Sequence, residues 1–140
     1  MKAEKKGAEP KREYSMSPDG RRFALPLPAD YAAEGARLDS LVLEKRREGY
    51  EIVVVVGLGF VGAVMAAVVA DSVDRNTRQP GKFVIGMQRP SPRSFWKTQL
   101  INLGESPIKA EDPEVDVLIR RSVLEKKTMI ATYTNEALKF

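Results

Sequence analysis

The chain contains no cysteine and no histidine. The first absence excludes disulfides, thiolate metal centres and a cysteine nucleophile within these 140 residues. The second removes the imidazole base and the ordinary zinc ligand. No metal site is therefore expected and no catalytic residue is assigned. Any acid–base work would fall to carboxylates, lysines or tyrosines. Aromatic residues are few, and the single tryptophan, Trp96, falls at helical spacing with Leu100 and Leu103. That trio reads as a core face rather than a base-stacking platform. A net charge of +4 is small and dispersed, so nucleic acid is not an expected partner. The charged N-terminus lacks the apolar segment of a signal peptide. A soluble, cytoplasmic protein with no membrane partner is expected.

The most informative stretch runs from Ile52 to Ala70, IVVVVGLGFVGAVMAAVVA. Hydropathy alone would allow it to cross a bilayer, with Lys45, Arg46 and Arg47 at its edge. Its internal order argues otherwise. Val53 to Val56 are β-branched and suit a strand buried on both faces. Three glycines would weaken a helix by about 1 kcal/mol each. Gly57-Leu58-Gly59-Phe60-Val61-Gly62 matches GxGxxG between a strand and an apolar helix. In that motif the first glycine makes the turn, the second admits a pyrophosphate, and the third lets helix and strand pack closely. A helix opening near Phe60 would aim its free N–H groups and dipole at the phosphates. The same turn can also exist without binding anything.

The rest of the chain frames this unit. Residues 1–28 read as a basic arm, loose to about Arg22 and extended from Phe23 to Pro28. Residues 29–50 read as an added helix, capped by Asp30, running from about Tyr31 to Arg47 and ended by Gly49. Its inward face would be Ala33, Leu38, Leu41 and Val42. Residues 51–140 read as a truncated dinucleotide-binding domain. Lys82 to Met87 is its second strand, implying a right-handed βαβ unit with parallel strands. Ser91 and Pro92 would open a helix that Gly104 stops. Asp112-Pro113 would open another, with Val115, Leu118, Ile119 and Val123 inward and Arg121 and Lys126 solvated. Thr128 to Thr132 is the third strand, and Thr134 caps a final helical segment. The fold class is α/β: a parallel sheet with flanking helices, corresponding to the first βαβαβ half of a doubly wound fold, plus the N-terminal helix. The chain is accordingly expected to be a fragment, or to be completed by other subunits.

Four segments together resemble the N-terminal, Rossmann-like domain of the UDP-glucose/GDP-mannose dehydrogenase family. They are Val54 to Gly62, Val84-Ile85-Gly86, Ile101-Asn102-Leu103-Gly104-Glu105-Ser106-Pro107-Ile108, and Thr132 to Lys139. The Asn-x-Gly-x-Ser-Pro-Ile segment is the most specific of them. The resemblance implies NAD as cofactor, a nucleotide sugar as substrate of the full-length protein, and a homo-oligomer. It implies oxidation of a sugar C6 alcohol to a carboxylate in two hydride transfers, with the nucleophilic cysteine in later domains. Gly57, Gly59 and Gly62 carry over as pyrophosphate-turn glycines, with Leu58, Phe60 and Val61 contributing backbone N–H groups or packing. One position departs from the family. Where an aspartate usually meets the adenosine ribose, this chain has Gln88 followed by Arg89. Arg89 or Arg93 could meet a 2′-phosphate, which leaves NADP open. A second reading is a non-catalytic Rossmann-like module for nucleotide sensing or assembly, using the added helix as its contact.

Overall fold

A computed structural model describes residues 12–108 and 113–140. The first eleven residues of the basic arm and Asp112, the expected helix opener, lie outside the described residues. Two short strands, β1 (Tyr14–Met16) and β2 (Arg22–Ala24), precede α1 (Pro28–Arg47), β3 (Glu51–Val56) and α2 (Phe60–Asp71). Then come β4 (Lys82–Met87), α3 (Phe95–Asn102), α4 (Glu114–Arg120) and β5 (Met129–Thr132). A wider helical turn, Arg121–Glu125, extends α4, and a 3-10 turn, Asn135–Lys139, follows β5.

The three apolar segments pair as a parallel sheet in the order β3-β4-β5. Val54 lies opposite Ile85, and Ile85 opposite Ile130. Parallel neighbours need long crossovers, which α2 provides between β3 and β4, and α3 with α4 between β4 and β5. Side chains alternate across the sheet. Phe83, Ile85 and Met87 face Leu38 and Val42 of α1. Val84, Met129 and Ala131 face Ala63, Ala66, Ala67 and Ala70 of α2. Those alanines recur at helical spacing, and their small size brings α2 close to the strands. The α/β class and partial Rossmann-like sheet expected from the sequence are present.

Several expectations need correction. β3 was expected to be buried on both faces. Ile52 to Val55 are only half-buried and Val56 is 64% exposed, because β3 has a partner strand on one edge alone. The sequence reading makes residues 14–22 a loose arm and Phe23 and Ala24 an extended segment. They form an antiparallel hairpin instead. Gly20, at φ +90°, closes its turn after Pro18 and Asp19, a Pro-Asp-Gly signature. Arg21 Nη1 reaches Glu105 Oε2 at 2.6 Å and ties the hairpin to the body. Helix α1 starts earlier than expected, at Pro28, whose fixed φ suits a first helical position. Asp30 is therefore not the cap. It sits in the first turn, where its carboxylate accepts the Leu27 N–H at 2.7 Å. Ala33 is exposed, and Gly35 takes the inward position.

Helix α3 starts later than expected, after a turn in which the Ser94 and Phe95 N–H groups donate to Ser91 C=O. Its next free amide, from Trp96, donates to Ser15 Oγ of β1 at 2.9 Å. The hairpin thus caps this helix, in place of a local serine. The buried face is Phe95, Thr98, Leu100 and Ile101. Leu103 is exposed and Trp96 lies half-buried beside the hairpin. Among the described residues no helix is long and apolar enough to cross a membrane. The turn at Gly57 to Gly59 divides the apolar run into strand and helix.

Arg121 and Lys126, expected on a solvated face, close the far end of α2. Arg121 grips Asp71 with two bonds of 2.7 Å. Lys126 Nζ sits 2.9 Å from Asp71 Oδ1 and also donates to the Asp71 carbonyl at 3.0 Å. Arg121 first, with Lys126 adding to it, holds the Asp71 carboxyl below the usual carboxylate range against the opposing effect of burial, which ranks between the two contacts. A depressed folded pKa contributes stability above the unfolded value, and that contribution is lost as pH falls through the folded value. Asp71→Asn is expected to lower stability by about 1 kcal/mol at neutral pH. The gap to wild type should narrow on acidification below about pH 4. Urea midpoints at neutral and acid pH check both statements; a gap that stays constant would refute the assignment.

Candidate functional site

The candidate site forms where β3 gives way to α2, at the C-terminal edge of the sheet. In open α/β sheets this edge is where ligands bind. The three motif glycines hold three different positions. Gly57 turns the chain at φ +89°, in the left-handed region, and its N–H donates to Met87 C=O at 2.7 Å. A side chain there would be strained whatever space surrounds it. Gly59 precedes the helix in extended geometry, and a Cβ built on it meets nothing within 4 Å. Gly62 lies in the first turn of α2, where a Cβ would stand 1.8 Å from the Gly57 carbonyl oxygen. One glycine permits the turn, one leaves an open approach, and one lets helix and turn touch.

Between them, Leu58 buries its side chain completely. It rests on Gly86 of β4, where a Cβ would fall 2.5 Å from Leu58 Cδ2. Its N–H donates to Gln88 Oε1 at 2.9 Å. Phe60 and Val61 open the helix with side chains 63% and 68% exposed. The first backbone bond entering the helix is from Ala63 N–H to Gly59 C=O, at 2.9 Å. The amides of Phe60, Val61 and Gly62 precede it, at the positive end of the helix dipole. This corner offers bare backbone donors beside an open glycine, a geometry suited to an anion such as a diphosphate.

Of the remaining residues read from the sequence, Gln88 is joined directly to the turn through Leu58. Its own N–H donates to Thr132 C=O at 3.1 Å. Arg89 follows at the same edge and lines an adjacent cavity of about 310 Å³ with Tyr31, Tyr133, Thr134, Asn135 and Glu136. Arg93 is exposed one loop further on, its carbonyl accepting the Trp96 indole N–H at 2.8 Å. Tyr133 offers no base here. Burial, then the charges of Glu34 and Asp30, push its hydroxyl up to about 12, and that hydroxyl donates to Asp30 C=O at 3.2 Å. The groups gathered at the turn can bind and orient.

Two residues that shape the site stand in the sequence only as members of the family-like segments, with no role of their own. Gly86 makes room for Leu58, and a glycine inside an apolar strand is itself a signal of close approach. Asn102 pairs with the edge of β5 as a strand would: its Nδ2 donates to Ala131 C=O at 2.9 Å, and Ala131 N–H donates to its Oδ1 at 2.8 Å. This gives a structural role to the first residue of the Asn-x-Gly-x-Ser-Pro-Ile segment. Gly104 holds φ +79° behind it, and Ser106 Oγ donates to Ile108 C=O at 3.0 Å.

No family model matches the chain, and no curated protein matches it. Among solved structures, the chain is similar to the NDP-N-acetyl-D-galactosaminuronic acid dehydrogenase from Methanosarcina mazei Go1. The two are 32% identical with a TM-score of 0.51, over 64% of this chain. The chain spans 17% of the length of that enzyme. The resemblance to nucleotide-sugar dehydrogenases carried by the sequence motifs is thus matched by a dehydrogenase of that kind in three dimensions.

Proposed function

We propose that this chain is the coenzyme-binding portion of a nucleotide-sugar 6-dehydrogenase of the UDP-glucose/GDP-mannose dehydrogenase type. The observation that supports this best is the division of labour among Gly57, Gly59 and Gly62, in a chain similar to a sugar-nucleotide dehydrogenase. The residues present fit a dinucleotide. The open face of Gly59 admits the diphosphate, the amides of Phe60, Val61 and Gly62 receive its charge, and Gln88 stands at the ribose position. When bound, a nicotinamide coenzyme supplies the hydride acceptor. Leu58, locked on Gly86, keeps the turn rigid, so its donors are oriented before the ligand arrives.

The oxidation itself belongs to a larger parent protein in this reading. The chain has no cysteine, and the family's thiol nucleophile lies in another domain. The outer edge of β3 and the exposed Val61, Met65 and Val68 of α2 are where a second half of the sheet would pack. The alternative of a non-catalytic module using α1 as its contact finds less support. That helix spends Leu38 and Val42 on its own sheet.

The test is to incubate the parent protein with nucleotide sugars and follow formation of reduced coenzyme. Substrate-dependent reduction, with two coenzymes consumed per sugar, is expected. No reduction with any nucleotide sugar would return the chain to the non-catalytic reading. The 140-residue chain alone should bind coenzyme without turning it over.

A further inference from the structure

We infer that the groove along the free edge of β5 binds a fatty acid, its alkyl chain on the apolar lining and its carboxylate at Lys45 and Lys127. The groove encloses about 590 Å³, within the range of small-molecule sites. Helix α1 forms one wall, and the wider helical turn after α4 forms the other. Leu41, Phe83, Leu124, Met129 and Ile130 supply the apolar lining. β5 is the sheet edge remote from β3, so a second half joined at β3 leaves this groove open. Helix α1 lies outside the family-like segments, and the groove gives it a use that the coenzyme reading does not.

The cations of the lining point to the charge of the ligand. The Lys45 side chain is only 13% exposed. Its ammonium lies over the rings of Tyr50 and Phe83, 5.0 Å and 5.3 Å from their centroids. Its carboxylate partner, Glu48, is 3.7 Å away, and among the described residues the ammonium makes no hydrogen bond. A cation held against apolar surface in this way keeps its donors for an incoming anion. Lys127 lines the groove from the other wall, exposed and without an ion pair among the described residues. Arg37 also lines it, but its guanidinium is bonded to Glu34. Glu44 is the one carboxylate in the lining.

The strand edge decides between a hydrocarbon chain and a peptide. An added peptide strand needs a row of backbone donors and acceptors. Alternate residues of β5 turn their backbone groups toward β4, as the Thr128 and Thr132 carbonyls do in accepting from Val84 and Gln88. Of the outward residues, Ala131 has both its groups bonded to Asn102. That leaves Met129 alone to a peptide. An alkyl chain needs no backbone partner and gains from the apolar lining.

The experiment titrates the purified 140-residue chain by calorimetry with dodecanoate below its micelle concentration. Dodecyltrimethylammonium supplies the same chain with a cationic head, and acetate supplies the head alone. Dodecanoate is expected to bind at least about tenfold more tightly than either. Lys45→Met keeps an unbranched stem over the two rings and removes the charge. Lys127→Asn removes the charge at an exposed position with φ +54°, a conformation that asparagine tolerates. Each should weaken dodecanoate by about tenfold and leave dodecyltrimethylammonium unchanged. A melt confirms the fold, and Lys127→Asn alone decides the matter should Lys45→Met fail to fold. Dodecanoate bound no more tightly than dodecyltrimethylammonium, or undiminished in the folded variants, would overturn the inference. Loss of dodecanoate binding in Gly59→Val would also overturn it, by placing the alkyl chain at the glycine turn.

Discussion

Gly62→Ala is expected to destabilise the fold by about 3 kcal/mol or more, lowering Tm by about 10 °C. The added methyl would stand 1.8 Å from the Gly57 carbonyl oxygen and 2.9 Å from its carbon. Neither is the end of a flexible side chain that can swing aside. Both belong to a turn pinned by the Gly57 N–H bond to Met87 and by the Leu58 side chain against Gly86. Relief requires α2 to move away from β3. That movement would open the alanine face through which α2 covers Val84, Met129 and Ala131. A thermal melt monitored by circular dichroism reads the result. Gly59→Ala is the control, since a Cβ there meets nothing and the backbone is extended. Its cost should stay within about 1 kcal/mol, the scale of a changed helix cap. Equal stability of the two variants would show that the third glycine does not set the helix-to-turn distance.

The contrast between these glycines also shows which parts of the molecule could be read from residues in order. The β3-α2-β4 unit was legible because its signals are local. A valine block, a glycine turn and an apolar run each declare themselves within a few residues, and the second strand starts and ends where expected, at Lys82 and Met87. The left-handed Gly104 was legible for the same reason. The hairpin was not. Its strands are three residues each, and its purpose depends on Ser15 meeting Trp96, 81 positions away. Without that contact, the sequence reading runs the apolar face of α3 through Trp96, Leu100 and Leu103, of which only Leu100 is buried, beside Phe95, Thr98 and Ile101. Arg121 looked solvated because its partner, Asp71, lies 50 positions earlier. Within the candidate site, sequence named Gln88 as the departure from the family. It could not show that Gln88 is bonded to Leu58, 30 positions away. Spacing therefore revealed the elements and the turn, while the contacts that orient side chains came from tertiary packing.

Gly59→Val is expected to weaken coenzyme binding severely while leaving the fold intact. The geometry separates the two effects. The backbone at Gly59 has φ −72° and ψ −166°, an extended conformation open to a β-branched residue, and a Cβ built there meets nothing within 4 Å beyond its chain neighbours. The fold should therefore lose no more than about 1 kcal/mol, the scale of a changed helix cap. The same empty space is the approach by which a diphosphate would reach the amides of Phe60, Val61 and Gly62. Two methyl groups there would hold the phosphates off those donors, removing charge-assisted bonds and the favourable helix end together. A loss of affinity on the order of 100-fold follows, equivalent to about 2.7 kcal/mol. Calorimetric titration of wild type and variant with NADP and NAD provides the measurement, and an unchanged melt confirms the fold. Retained affinity for both coenzymes in a folded variant would move the binding site away from this turn. Lost affinity together with a collapsed melt would show that Gly59 serves the fold, contrary to the open space found around it.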